Sequence, residues 1–235
     1  MILRPFLYEE TACASYLFGC PTHGKLAVVD PHERLVGAYV DAAERAGAPI
    51  VAVLETHLQA DHVSGLPELV ARTGATPHRP HALRDGDTVS LGSTAVTVVA
   101  TPGHAPVHNA YVVADSRRGT EEPWLVFTGD ALLVGDAGRP DLHAGGDSLP
   151  AARDLYASLR RLLALPDHVL VLPSHYGDSV CGRSLSGNPF STIGFERRHN
   201  RALAHADAGA FARALFADLP PPPADQNAIV PRNRG

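Results

Sequence analysis

Short apolar runs alternate with Gly- and Pro-containing turns along most of the chain, and the runs have the length of strands rather than of helices. Three come early: ASYLFG from Ala14, KLAVVD from Lys25 and IVAVLET after Pro49. A second batch follows the Asp85-Gly86-Asp87 turn. It comprises TVSL, STAVTVVA up to Ala100, NAYVVAD from Asn109 and WLVFTGD from Trp124, and HVLVLPSH follows later between His168 and His175. Two batches of strands predict two sheets.

Three segments have helical spacing instead: Glu33 to Ala46, Gly65 to Thr73, and Ser148 to Leu163. In the third, Ala151, Ala152, Leu155, Tyr156, Leu159, Leu162 and Leu163 recur on one face, while Arg153, Asp154, Arg160 and Arg161 fall between them. Asp147 or Ser148 caps it, Pro150 suits its first turn, and Pro166 ends it. Two shorter helices are expected up to Leu219. Pro220 to Pro223 then stop helix formation, and the last dozen residues show little to hold them down. The expected organisation is one domain over 1–219 with a Pro-rich tail over 220–235. No 20- to 50-residue period suggests a solenoid. Strands that end in polar turns, with helices between the batches, imply an α/β layered sandwich with its chemistry at the strand ends.

Composition narrows the class of function. In 235 residues, 45% are hydrophobic and 19% charged, which is ordinary for a folded domain. Lys and Arg number 20 against 25 Asp and Glu, a net charge of -5 that lacks the basic excess of a nucleic-acid binder. No apolar stretch approaches the roughly 18 to 20 residues of a membrane span, and the first residues do not resemble an export signal. Cys13, Cys20 and Cys181 are odd in number and have no zinc-ribbon spacing, so a reduced cytoplasmic protein is expected. The outlying number is 13 histidines, which points to metal or proton chemistry.

Four polar clusters each follow an apolar strand: Thr56-His57-Leu58-Gln59-Ala60-Asp61-His62, Thr101-Pro102-Gly103-His104, Thr128-Gly129-Asp130 and Pro173-Ser174-His175. Any one of them alone reads equally well as a solvated loop. Four at successive strand ends favour a metal site.

ETHLQADHVSG, ATPGH, FTGDALLVGDAGRPDL and LPSHYGDSVCGRSLSGNPFSTIGFERRHN resemble the successive motifs of the metallo-β-lactamase fold, in particular its glyoxalase II and persulfide dioxygenase branch. The resemblance runs in order from about Tyr16 to Asn200. It implies an αββα sandwich, two mixed β-sheets flanked by helices. GDAGRPDL and STIGFERRHN look most like the bacterial persulfide dioxygenases often fused to rhodanese domains. One departure is informative. The family's first motif reads His-x-His-x-Asp-His, and here the second histidine is Gln59.

In a two-zinc hydrolase of this kind, His57, the missing histidine and His104 would share one metal. Asp61, His62 and His175 would hold the other, with Asp130 bridging. A neutral amide is a poor substitute for imidazole, so Gln59 leaves the first site short of a ligand. The persulfide dioxygenase resemblance implies instead a single Fe(II) held by His57, His104 and Asp130. Two histidines and a carboxylate leave coordination positions open for chemistry. The activity so implied is oxidation by dioxygen of a low-molecular-weight thiol persulfide, of glutathione or a similar carrier, to sulfite and thiol. The alternative is a thioester hydrolase of the glyoxalase II type with one or two Zn(II). Asp61, His62 and His175 are then either catalytic partners that orient the ligands and substrate or holders of a second metal. Tyr176, Cys181 and Arg183 come from the region that meets thiol substrates in this family. Arg139 is expected to pair with a carboxylate and fix the loop after Asp130, and the role of His108 stays open. Exposed strand edges and the tail are compatible with a homodimer.

Overall fold

The computed structural model describes the chain apart from residues 119–121, 143–147, 178, 180, 184–185, 218, 220, 223–224 and 235. The first sheet contains β1 (Ile2–Tyr8), β2 (Cys13–Cys20), β3 (Lys25–Val29), β4 (Ile50–Leu54) and β5 (Thr76–His78) in that order. The first pairings are antiparallel, and β3-β4 and β4-β5 are parallel. The second sheet takes β6 (Thr88–Leu91), β7 (Thr94–Ala100), β8 (Asn109–Asp115) and β9 (Leu125–Gly129). A small hairpin, β10 (Leu132–Leu133) and β11 (Asp136–Ala137), then interrupts before β12 (Leu170–Pro173) and β13 (Ser191–Thr192) complete the second sheet. There β12 runs parallel to β9, and its other neighbours pair antiparallel. Both sheets are mixed, as expected.

Helices α1 (Val36–Arg45) and α2 (Leu66–Thr73) cover the first sheet, and α3 (Leu149–Leu162) covers the second. Three apolar layers result. The alternation of side chains along a strand explains them: Leu17 of β2 faces Tyr39 and Leu69 on the helix side, while its neighbours Tyr16 and Phe18 meet Phe127 between the sheets. In β9, Val126 turns toward Leu155 and Leu159 of α3, and Leu125 and Phe127 turn inward. Strands buried on both faces read as unbroken apolar runs, which is why they stand out in the sequence.

The main differences from expectation lie at the chain ends and at element starts. β1 is a full strand in register with β2, from Ile2 opposite Gly19 to Tyr8 opposite Cys13. Its Arg4 and Pro5 hide the pattern, and Pro5 is tolerated because β1 is an edge. The helix expected from Glu33 begins as a 3-10 turn, Glu33–Leu35. The candidate cap Asp147 lies outside the described residues. Beyond α4 (Ile193–His199) and α5 (Ala208–Ala217), the stretch whose sequence shows little to hold it down forms α6 (Gln226–Arg234). Its anchor is polar: Asn233 is buried and hydrogen-bonded to the loop after β4. Among the described residues no helix is long and apolar enough to cross a membrane.

Candidate metal centre

The ends of β4, β7, β9 and β12 converge. Because β9 and β12 run parallel with Gly129 opposite Pro173, the residues that follow them, Asp130 and His175, emerge side by side. The two sheets are stitched together here as well. Asn109 donates its backbone N–H to the Thr56 carbonyl at 2.8 Å, and Ala14 donates to the Ser174 carbonyl at 2.7 Å. Gly129 adopts a left-handed φ of 54°, and a Cβ there would sit 2.5 Å from His108 Nε2. Only glycine lets the chain turn so tightly into Asp130.

His57, His104 and Asp130 form one cluster, fully buried, with donor atoms all within 4.8 Å of one another. Asp130 Oδ2 is 3.8 Å from His57 Nε2 and 3.5 Å from His104 Nε2. The three groups therefore converge at separations at or beyond hydrogen-bonding length. Their far sides are fixed. His104 Nδ1 lies 2.8 Å from the Arg139 carbonyl, which only accepts, so Nδ1 carries the proton and Nε2 presents its lone pair to the cluster. His57 Nδ1 lies 2.8 Å from Thr56 Oγ1, whose hydroxyl donates onward to Asp30 Oδ2 at 2.8 Å. Thr56 N–H and the Ser174 hydroxyl also donate to that buried carboxylate. His108 Nε2 accepts the backbone N–H of Asp130 at 3.1 Å and its Nδ1 meets Thr101 Oγ1 at 2.7 Å, so His108 sets the orientation of Asp130. Burial opposes charge on Asp130, but the imidazoles of His175, His104 and His57 outweigh it and hold the carboxyl well below its usual range. Burial pushes the His104 pKa down, which favours a neutral, ligating imidazole. Two imidazoles and a carboxylate, each oriented from behind, make a donor set of the kind that suits a divalent transition metal.

A second cluster, Cys13, Asp61, His62 and His175, lies beside the first. Its members touch one another directly. His175 donates from Nδ1 to Asp130 Oδ1 and from Nε2 to Asp61 Oδ2, both at 2.7 Å. His62 Nδ1 is 3.0 Å from Asp61 Oδ1, and Cys13 Sγ lies 3.3 Å from His175 Nε2 and 3.4 Å from His62 Nδ1. Burial disfavours the imidazolium of His175, but Asp130 and Asp61 outweigh it and raise its pKa well above the usual value. In the same way Cys13 and Asp61 raise His62 to about 10 against burial, and the two imidazoles lower the Cys13 thiol to about 7. His62 Nε2 and both polar atoms of the Gln59 amide are buried with no hydrogen-bond partner among the described residues.

The other expected residues separate. Cys181 joins the edge of the second cluster, its Sγ 3.9 Å from Asp61 Oδ2. Tyr176 follows His175, and its hydroxyl is buried without a partner among the described residues. Arg183 instead grips the buried Asp136 at 2.5 Å and donates to the Ala214 carbonyl at 2.7 Å. Arg139 pairs with Asp141 through two 2.8 Å bonds, as anticipated. Missed from the sequence were Cys13, which has no site-like spacing to another cysteine, and Asp30 and Asn233, isolated polar residues far from any motif. His32, whose ring stacks on His62 at 4.9 Å, was also missed. Among the described residues six histidines are buried, and all six surround this centre.

A family model described as the metallo-beta-lactamase superfamily matches residues 8–85. The crystal structure of ETHE1 from Myxococcus xanthus superimposes with a TM-score of 0.85 at 31% identity, over 100% of this chain and 98% of that one. The chain belongs to the metallo-β-lactamase superfamily. Within the superfamily it is 33% identical to hydroxyacylglutathione hydrolase of Fuscovulum blasticum over 172 residues, 68% of this chain and 61% of that protein. It is also 28% identical to the mitochondrial persulfide dioxygenase ETHE1 of Homo sapiens over 214 residues, 86% of this chain and 76% of that protein. The chain spans about six tenths of the length of the hydroxyacylglutathione hydrolases it matches. Both branches named by the sequence motifs are thus represented among its relatives.

Proposed function

We propose that the protein is a persulfide dioxygenase with one iron held by His57, His104 and Asp130. The reaction joins a thiol persulfide, dioxygen and water to give the thiol, sulfite and two protons; the outer sulfur is oxidised and the sulfur-sulfur bond breaks. Bound at the triad, Fe(II) supplies open coordination positions and the one-electron chemistry that lets dioxygen react with sulfur. The chain's own residues do the rest. Thr56 with Asp30, and the Arg139 carbonyl, keep the two imidazoles turned inward. His175 holds a proton between Asp130 and Asp61, adjacent to His62 and Cys13, so this network is suited to orient the persulfide and to exchange protons as the thiol departs. In this reading Tyr176 and Cys181 would meet the carrier thiol, whereas Arg183 is committed to Asp136.

The observation that carries this reading is the contrast between a triad with converging donors and a neighbouring cluster whose groups bond to each other, with Gln59 where a two-zinc site would need a further imidazole beside His57 and His104. A thioester hydrolase with zinc is the second reading. It is favoured by the same neighbouring cluster, which contains Asp61, His62 and His175 within ligating distance of one another. Metal content measured together with oxygen uptake on glutathione persulfide separates the two. One iron per chain with oxygen uptake and sulfite release is expected. Two zinc ions, thioester cleavage and no oxygen uptake would overturn the proposal.

A further inference from the structure

We infer that Asn233, in the last helix, is a positioning residue for the metal centre. The loop that follows β4 carries His57, Asp61 and His62 within six residues and has no regular pairing of its own beyond isolated bridges. Its polar backbone groups must nonetheless be satisfied in a buried place. Asn233 does this from the far end of the sequence. Its Nδ2 donates to the Gln59 carbonyl at 3.0 Å and to the His62 carbonyl at 2.8 Å, and its Oδ1 accepts the Ser64 N–H at 2.9 Å. One carboxamide thus spans residues 59 to 64, the stretch that sets where Gln59, Asp61 and His62 point.

Asparagine suits this task in a way that its relatives do not. Two carbonyls and one N–H require two donor hydrogens and one acceptor on a short planar group. Aspartate would oppose both carbonyls with negative oxygen, and alanine would leave three buried backbone groups unpaired. The residue is itself well held: it is 4% exposed, and Arg79 donates to its carbonyl at 2.7 Å. At the start of α6, Gln226 donates to the Leu142 carbonyl at 2.6 Å. Arg232 reaches Glu33 at 3.4 Å with both side chains partly exposed, an interaction of little energetic weight. A helix with one buried polar side chain, aimed at a catalytic loop, is built to set that loop rather than to bury apolar surface.

Pinning the Gln59 carbonyl has a further effect. It holds the backbone of Gln59, whose buried amide has no hydrogen-bond partner among the described residues, two positions from His57 along the loop. The positioning role rests on the metal assignment of the triad, but not on which reaction follows. The 235-residue apoprotein is titrated with Fe(II) and, separately, Zn(II) against a chromophoric chelator, and thermal unfolding is followed on the same samples. Asn233→Ala is expected to weaken binding of both metals about tenfold, the low end of the scale for losing a group that orients ligands, because the loop it releases also carries His57. Arg232→Ala, which removes the exposed contact of the same helix to Glu33 and none of the Asn233 bonds to the loop, should leave affinity unchanged. Asn233→Asp provides a second variant of equal size and should lose affinity similarly. Wild-type affinity in Asn233→Ala, or in a folded Asn233→Asp, overturns the inference, even where unfolding shifts to lower temperature. Failure of the wild-type protein to bind either metal would instead overturn the metal assignment itself.

Discussion

Two clusters of metal-ligating side chains lie side by side in this protein, and they differ in how their atoms are satisfied. In the His57, His104 and Asp130 group the imidazole bonds point away, to Thr56 and the Arg139 carbonyl, and the inner atoms stand 3.5 to 3.8 Å apart. In the Cys13, Asp61, His62 and His175 group the inner atoms bond one another, with imidazole to carboxylate contacts of 2.7 to 3.0 Å. The same residue types therefore make two different devices. An outward-braced set offers its lone pairs to an ion, whereas an inward-bonded set stores protons and charge. A list of histidines and aspartates along the chain does not contain that distinction.

The largest effect should come from breaking the braced set. His57→Ala, His104→Ala or Asp130→Ala is expected to weaken iron binding more than ~100-fold, beyond the range for losing a group that only orients a ligand. Metal analysis of the purified variants checks this. By contrast, His62→Ala should retain about one iron per chain while oxygen uptake on a persulfide falls ~100-fold, at the low end for loss of an acid–base group. Equal loss of iron in His62→Ala would erase the distinction between the clusters.

A next, smaller test probes the brace itself. Asp30 touches no metal-ligating atom, yet it accepts from Thr56, which in turn positions His57. Asp30→Asn should lower iron affinity roughly tenfold with His57 intact. An unchanged affinity would mean that Thr56 alone orients the ring. Gln59→His examines the opposite case, since it adds an imidazole to the loop between the two clusters. Zinc bound per chain is expected to rise from one toward two, read by titration of the metal-free protein. Stoichiometry that stays at one would show that the second cluster prefers its own hydrogen bonds to an ion.

How far the sequence foretold these devices follows from their chemistry. Strands β4, β9 and β12 are buried along nearly their whole length, so their apolar runs are continuous, and the turns after them announce His57, Asp130 and His175; the Val- and Ala-rich β7 ends in the same way before His104 although its positions alternate in burial. The four clusters were legible because each is a short polar motif directly after such a run. The edge strand β1 was not, because Arg4 and Pro5 interrupt an element that only one neighbour covers. Cys13 gives no site signal, because a lone cysteine beside a strand usually packs as a small apolar residue. It reaches the second cluster only because β1 and β2 turn their hairpin toward His175, a contact across 162 positions. Asp30 and Asn233 carry no local pattern at all. A single polar residue with purely tertiary partners has no periodicity to reveal it, and α6 as a whole lacks the apolar stripe by which helices are recognised.

The smallest expected effect asks whether scaffold and site can be separated. Gly103, next to His104, has a φ of 133°, and a Cβ there would come within 2.3 Å of the Leu155 backbone in α3. The loop therefore rests directly on the helix, and Ser158 reinforces the seat by donating to the Pro102 carbonyl at 2.7 Å. Ser158→Ala removes that buried bond and should cost about 1 kcal/mol, or a melting temperature lower by about 2–4 °C in a chain of this size. Iron affinity should not change, because the His104 ring is aimed by the Arg139 carbonyl rather than by α3. Calorimetry and an iron titration on one preparation decide the matter. A tenfold loss of iron would show that the helix sets the ring through the loop, and the braced triad would then extend into the outer layer of the fold.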